Sequence, residues 1–180
     1  MAVVMSATAS RMAQQSTTAE MLYQEHNRRI GRLCLMLLGN PEDARDVAQE
    51  VFLKVLQQCK GMDDPRDWSA WLTRVAINAC HDRRRSGWWK WWQRGGRELA
   101  DSDLIAAGPE DDAVRIEQRV AIWRGVRTLT ASQRDVFVLR QIEGWSTSET
   151  AEALNLSNES VKLHLFRAMR RMRKALWSER

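Results

Sequence analysis

Between Asn40 and Gln57 the apolar residues Ala44, Val47, Ala48, Val51, Phe52 and Val55 fall at i, i+3, i+4, i+7, i+8 and i+11, the spacing that puts one face of an α-helix against a core. The start of this helix is written into the chain as well. Asn40 can act as N-cap, Pro41 suits the first helical position, and Glu42 and Asp43 complement the positive end of the helix dipole. The same period recurs in Leu22, Tyr23, His26, Ile30, Leu33 and Leu37, which stop at Gly39, and in Trp68, Trp71, Leu72, Val75, Ala76, Ala79 and Cys80. Strand-like alternation does not compete with it, so the expected fold class is all-α.

The period fails in two places, and these divide the chain. Residues 1–18 are small and polar, and we expect a poorly ordered leader there. From 87 to 112 the composition shifts to Trp88, Trp89, Trp91 and Trp92 among basic residues and then to an acidic stretch, which reads as a flexible linker. The expected architecture is therefore two small helical domains, 19–86 and 113–180. A chain of 180 residues can form two such domains, each with a modest core.

In the second region Thr147 to Leu154 reads as a short helix, Asn155-Leu156-Ser157 as a tight turn, and Asn158 to Leu176 as a longer helix: a helix-turn-helix. Ala151 is small where two helices must cross. Asn155 tolerates a left-handed turn, and Ser157 can cap the second helix. Val161, Leu165, Ala168, Met169, Met172 and Leu176 form the expected buried stripe of that helix. Its other face carries Asn158, Glu159, Ser160, Lys162, Leu163, Phe166, Arg167 and Arg170, with a polar and basic N-terminal half suited to a DNA major groove. Charge agrees with a polyanionic partner: 28 Lys+Arg stand against 23 Asp+Glu, a formal net charge of +5. The excess is concentrated from Lys162 onward, where Arg167, Arg170, Arg171, Arg173 and Lys174 follow.

Two surfaces stand out in the first region. The helix after Asn40 presents Asp43, Asp46, Gln49, Glu50 and Lys54 opposite its apolar face, which is either a solvated flank or a docking surface for a basic partner. The third helix carries Arg74, Asn78, His81 and Arg85 at spacings of four, three and four, beside Trp71. Cations for phosphates, an amide for base edges and an indole for stacking together suit opened or single-stranded DNA, although a polar flank beside a core tryptophan would look the same.

Other functions find little support. Cys34, Cys59 and Cys80 lack metal-ligand or redox spacing. His26, His81 and His164 are scattered, and neither a phosphate loop nor a nucleophile context is present, so we expect no enzyme, cofactor, metal site or small-molecule substrate. The longest apolar run, from Leu33 to Leu38, is too short to span a bilayer, which suggests a cytoplasmic protein.

Two blocks resemble the extracytoplasmic-function (ECF) subfamily of the bacterial sigma-70 family: DARDVAQEVFLKVLQ followed by WLTRVAINACHDRRR, and LTASQRDVFVLRQIEGWSTSETAEALNLSNESVKLHLFRAMRRMRKAL. They stand in the family's order and together cover all but the leader and linker. The resemblance implies a sigma factor that brings core RNA polymerase to particular promoters. Region 19–86 would be the sigma region 2 domain, with Asp43, Asp46, Gln49, Glu50 and Lys54 meeting the clamp helices of the beta-prime subunit. Asp63, Trp71, Arg74, Asn78, His81 and Arg85 would recognise and melt the minus-ten element. Region 113–180 would be the sigma region 4 domain, reading the minus-thirty-five element through Ser160, Lys162, Leu163, Phe166 and Arg167 and meeting the beta flap. The acidic part of the linker would thread toward the RNA exit channel. An anti-sigma factor, often membrane-bound in the family, would hold the protein inactive.

The chain departs from the family at Thr130 or Ala131, where many relatives have Pro, and at Asn155, where they have Gly. Ser157 to Ser160 replaces a Pro-x-Gly-Thr opening, and Thr150 takes a position that is usually aliphatic. The promoter sequence is therefore not carried over. A helix-turn-helix regulator with an N-terminal sensing or dimerisation domain is the alternative.

Overall fold

The structure is a computed structural model that describes residues 2–58, 67–86 and 113–177, and within them the side chains of 19–57, 67–86 and 120–177. Among the described residues every regular element is helical. Cys59, Asp63, the Trp88–Trp92 cluster and the acidic linker residues lie outside them.

The helices fall into two compact units. Three helices build the first, α1 (Ala2–Leu38), α2 (Pro41–Gln58) and α3 (Trp68–Arg85), except that Met36–Pro41, the end of α1 and the turn into α2, group with the second unit. Helix α1 begins at Ala2 rather than near Ala19, so residues expected to form a poorly ordered leader are its first half. Those residues lack an apolar period but also lack Gly and Pro, and their Ala, Met and Gln are good helix formers. At its far end Gly39 takes φ 76°, the left-handed conformation that ends helices readily only with glycine or asparagine. Helix α2 then starts at Pro41, as its capping sequence predicts.

The core of this unit draws on Ile30, Leu33 and Cys34 of α1, Val47, Val51 and Val55 of α2, and Leu72, Ala76, Ile77 and Cys80 of α3, all essentially without exposure. Cys34 and Cys80 are buried thiols. Two features tie α1 to its neighbours. Tyr23 meets the edge of Phe52 with ring centroids 5.0 Å apart. Arg29 donates to Thr73 Oγ1 at 2.8 Å and to the Ser69 carbonyl at 3.0 Å, which explains how polar Thr73 can be fully buried on α3. Asp67 caps α3 by accepting from the Ala70 N–H at 3.0 Å.

The second unit contains α4 (Ala113–Arg127), α5 (Ala131–Phe137), α6 (Thr147–Leu154) and α7 (Asn158–Trp177). Helix α5 runs on into a wider π-helical turn, Val138–Ile142, closed by the Glu143 N–H donating to the Val138 carbonyl at 3.0 Å. Gly144 at φ 74° then turns the chain toward α6. Val136, Ala151 and Val161 form the buried centre, with Leu154, Leu156 and Leu165 packed around it. Trp123, Leu139, Ala168 and Met172 extend the core.

The buried stripe of α7 is narrower than expected. Val161, Ala168 and Met172 are buried, but Met169 is 47% and Leu176 39% exposed. Both line an open apolar groove with Ile122, Ile142, Phe166 and Trp177. An apolar period shows which residues share a face of a helix; it does not show how wide a strip the neighbouring helices cover.

Candidate nucleic-acid and protein interfaces

The helix-turn-helix is held in shape by capping. Ser146 starts α6: its Oγ accepts from the Glu149 N–H at 3.2 Å, while Glu149 Oε2 accepts from the Ser146 N–H at 2.8 Å, a reciprocal capping box. The S-x-x-E spacing from Ser146 to Glu149 carries this signal in the sequence. Asn155 ends α6 at φ 52°, ψ 50°, the left-handed conformation its side chain tolerates. The Leu156 N–H then closes on the Ala151 carbonyl at 2.9 Å. Ser157 caps α7 as expected, accepting from the Ser160 N–H at 3.1 Å. Asn155 thus supplies the left-handed turn without glycine, and Ser157 starts the second helix without proline.

On α7 the structure leaves Lys162, Leu163, Phe166 and Arg167 exposed over the first two and a half turns. Leu163 is 46% and Phe166 61% exposed. Ser160 is half-buried, and its hydroxyl accepts from Ser157 Oγ at 3.0 Å, so this residue also belongs to the cap. The Arg170 guanidinium lies 6.0 Å from the centre of the Phe166 ring, within cation–π range. Basic side chains continue along the exposed surface at Arg171, Arg173 and Lys174.

In the first unit Arg74, Asn78 and Arg85 are exposed along one flank of α3, with His81 and Trp71 half-buried between and beside them. Trp71 stands edge-on to Trp68, the ring centroids 5.5 Å apart at 81°. Arg85 is engaged by Asp82, one turn before it. Asp63, expected to act with this flank, lies outside the described residues.

The acidic face of α2 differs from expectation at one residue. Asp46, Gln49, Glu50 and Lys54 are exposed, but Asp43 is buried. Arg83 of α3 reaches over it: Nη1 donates to Asp43 Oδ1 at 3.0 Å, and Nη2 donates to Glu50 Oε1 at 3.1 Å. Asp46 Oδ2 lies 3.9 Å from the same guanidinium. Asp43 therefore serves as an internal anchor, shielded from any docking partner. Burial raises the Asp43 carboxyl above its ordinary value, with Arg83 pulling the other way. The partners of Arg83 lie 33 to 40 residues earlier in the chain, and local spacing carries no sign of them.

Among the described residues no cluster of His, Cys, Asp and Glu could hold a metal ion, and no helix is long and apolar enough to cross a membrane.

Comparison with known proteins places these surfaces in context. Residues 22–90 match the model of sigma-70 region 2, and residues 119–172 match that of sigma-70, region 4. The chain is 32% identical over 155 residues to the ECF RNA polymerase sigma factor SigW of Bacillus subtilis, covering 82% of this chain and 83% of that one. It is 35% identical to the RNA polymerase sigma-E factor of Streptomyces antibioticus, covering 78% and 74%. Among solved structures, the sigma factor RpoE from Bartonella quintana, in complex with the anti-sigma factor NepR, aligns with a TM-score of 0.66 at 17% identity, covering 89% of this chain and 98% of that one. CnrH, in complex with the cytosolic domain of CnrY, aligns with a TM-score of 0.60 at 20% identity, covering 96% of each chain. Helices in the order of region 2 and then region 4, the second ending in a capped helix-turn-helix, thus coincide with sequence identity along most of the chain, which belongs to the ECF subfamily of sigma-70 RNA polymerase sigma factors.

Proposed function

We propose that the protein binds core RNA polymerase and directs it to a specific class of promoters, acting in the cytoplasm and performing no reaction of its own. The observation that carries this is the pairing of two surfaces in one chain. One is the acidic, exposed face of α2 beside the Trp71 to Arg85 flank of α3, and the other is the exposed N-terminal half of the capped recognition helix α7. In this assignment Asp46, Gln49, Glu50 and Lys54 meet the beta-prime clamp helices. Trp71, Arg74, Asn78, His81 and Arg85, together with Asp63, engage the minus-ten element, where an exposed amide and flanking cations suit an unstacked base on its phosphate backbone. Lys162, Leu163, Phe166 and Arg167, with Ser160 at the helix start, read the minus-thirty-five element. The region 19–86 is then the polymerase and minus-ten domain, 113–180 the minus-thirty-five domain, and 87–112 their linker.

An anti-sigma factor holds the protein inactive until a signal releases it. RpoE from Bartonella quintana is bound to such a partner, and the apolar groove beside α7 gives the second unit a surface suited to a protein partner such as an anti-sigma helix or the beta flap.

The test is transcription by purified core polymerase and this protein from a mixed promoter library, with Asp46→Ala/Glu50→Ala, Asn78→Ala and Arg167→Ala alongside. Promoter-dependent transcripts are expected. The α2 variant should weaken polymerase binding, Asn78→Ala should alter strand opening, and Arg167→Ala should relax upstream sequence choice. Absence of polymerase binding, with tight dimeric binding to a palindromic duplex instead, would leave the helix-turn-helix regulator as the function.

A further inference from the structure

Arg83 makes two bonds of different kinds with one side chain. The Asp43 side chain it binds through Nη1 is only 6% exposed, whereas the Glu50 side chain it binds through Nη2 is 52% exposed, and the Arg83 side chain is 23% exposed. Asp43 and Glu50 are seven residues, two helical turns, apart on α2, and Asp46 lies between them, 61% exposed. A planar guanidinium can hold two acceptors in fixed directions at once; a lysine ammonium on a flexible stem cannot. The buried bond fixes the guanidinium, and the guanidinium in turn fixes a carboxylate at the surface. One positive charge among three carboxylates leaves the surface acidic, still attractive to a cationic partner.

We propose that Arg83 is a positioning residue for polymerase docking: anchored on buried Asp43, it holds the Glu50 carboxylate in place on the α2 face, so the docking strength of α2 is set by a residue of α3. The proposal rests on α2 being the polymerase-docking face. A carboxylate already held in one geometry loses less side-chain freedom on binding than a free one, and the difference appears as affinity. Arg83 itself touches no partner in this arrangement; Asp43 acts through Arg83, and Arg83 through Glu50.

The experiment measures the affinity of the full-length protein for purified core RNA polymerase in the wild type, Arg83→Lys, Glu50→Gln and the double variant. Arg83→Lys keeps a positive charge beside Asp43 while removing the two-armed geometry. It is expected to weaken binding by about threefold to tenfold, an ordinary range for one positioned charge contact. In the Glu50→Gln background the same change should cost less than about twofold, because its route to the partner is already gone. A purely structural role would shift thermal stability equally in both backgrounds and leave the affinity losses additive; additive losses, or no loss in Arg83→Lys, would overturn the proposal alone. Unchanged affinity in Glu50→Gln and in Asp46→Asn, with polymerase binding intact, would remove the docking-face assignment and the proposal with it. Should Arg83→Lys fold poorly, Asp43→Asn/Arg83→Gln removes the pair without leaving a buried charge uncompensated, and the same comparison in the two backgrounds decides.

Discussion

In the first unit the acidic face of α2, the proposed docking surface, is tied to the interior through charge: Arg83 of α3 bridges buried Asp43 and exposed Glu50 of α2, and Arg29 of α1 holds Thr73 and Ser69 of α3. In the second unit the helix-turn-helix is held by apolar contact among Val136, Ala151 and Val161, by caps at both ends of α6 (Ser146 and Asn155) and by Ser157 at the start of α7, while the exposed basic side chains of α7 lie outside that core. The two arrangements imply different sensitivities. Where one guanidinium serves both core and surface, removing it disturbs stability and recognition together. Where core and surface use separate side chains, each can change alone, which leaves the exposed face of α7 free to vary while its fold persists.

The largest effect should come from breaking the charged brace. Arg83→Met leaves Asp43 buried without its cation and should cost about 3 kcal/mol at neutral pH in urea unfolding of the full chain. The loss should shrink as pH falls. Burial lifts the folded Asp43 carboxyl above its ordinary value of 3.8, so the folded state holds that proton more tightly than the unfolded chain. The cost of ionising Asp43 is therefore absent well below 3.8 and grows as pH rises through the folded value. Without Arg83 that value moves higher still, so a gap between variant and wild type that does not narrow toward pH 4 would contradict the brace. In the second unit, Val161→Ala should cost about 2 kcal/mol by opening a cavity at the centre of the helix-turn-helix. It should weaken upstream promoter binding while polymerase binding through the first unit persists, a separation that Arg83→Met should not show. Ser146→Ala removes one arm of the capping box and should cost about 1 kcal/mol. The smallest change should be a gain. Thr150 is fully buried, and its hydroxyl has no hydrogen-bond partner among the described residues. Thr150→Val, of the same shape, should raise the urea midpoint by an amount corresponding to about 1 kcal/mol.

What could be read in advance follows the range of the interaction. The start of α2 at Pro41, the end of α1 at Gly39, the left-handed turn at Asn155 and the cap at Ser157 all depend on residues within a turn of one another, and the structure agrees with each. The exposed character of Asp46, Gln49, Glu50 and Lys54, and of Lys162, Leu163, Phe166 and Arg167, followed from helical periodicity. Asp43 was misplaced because its burial depends on Arg83, brought near by the fold. Met169 and Leu176 were misplaced because exposure on α7 depends on how far its neighbours extend. The first half of α1 escaped notice because backbone propensity can build a helix that leaves no apolar period.

The wide turn at Val138–Ile142 has a consequence for how this region can change over time. A π-helical turn spends one more residue than an α-helical turn on the same rise, so it is a one-residue insertion accommodated without breaking the helix. Loss of a single residue there can be absorbed by returning the segment to α-helical winding, a tolerance that a helix interior normally lacks. Such a loss would swing Ile142 around the axis by roughly 100° relative to Phe137, taking one wall from the groove beside α7. This short stretch is a place where the chain can alter in length by one and keep the same fold while reshaping the groove beside α7.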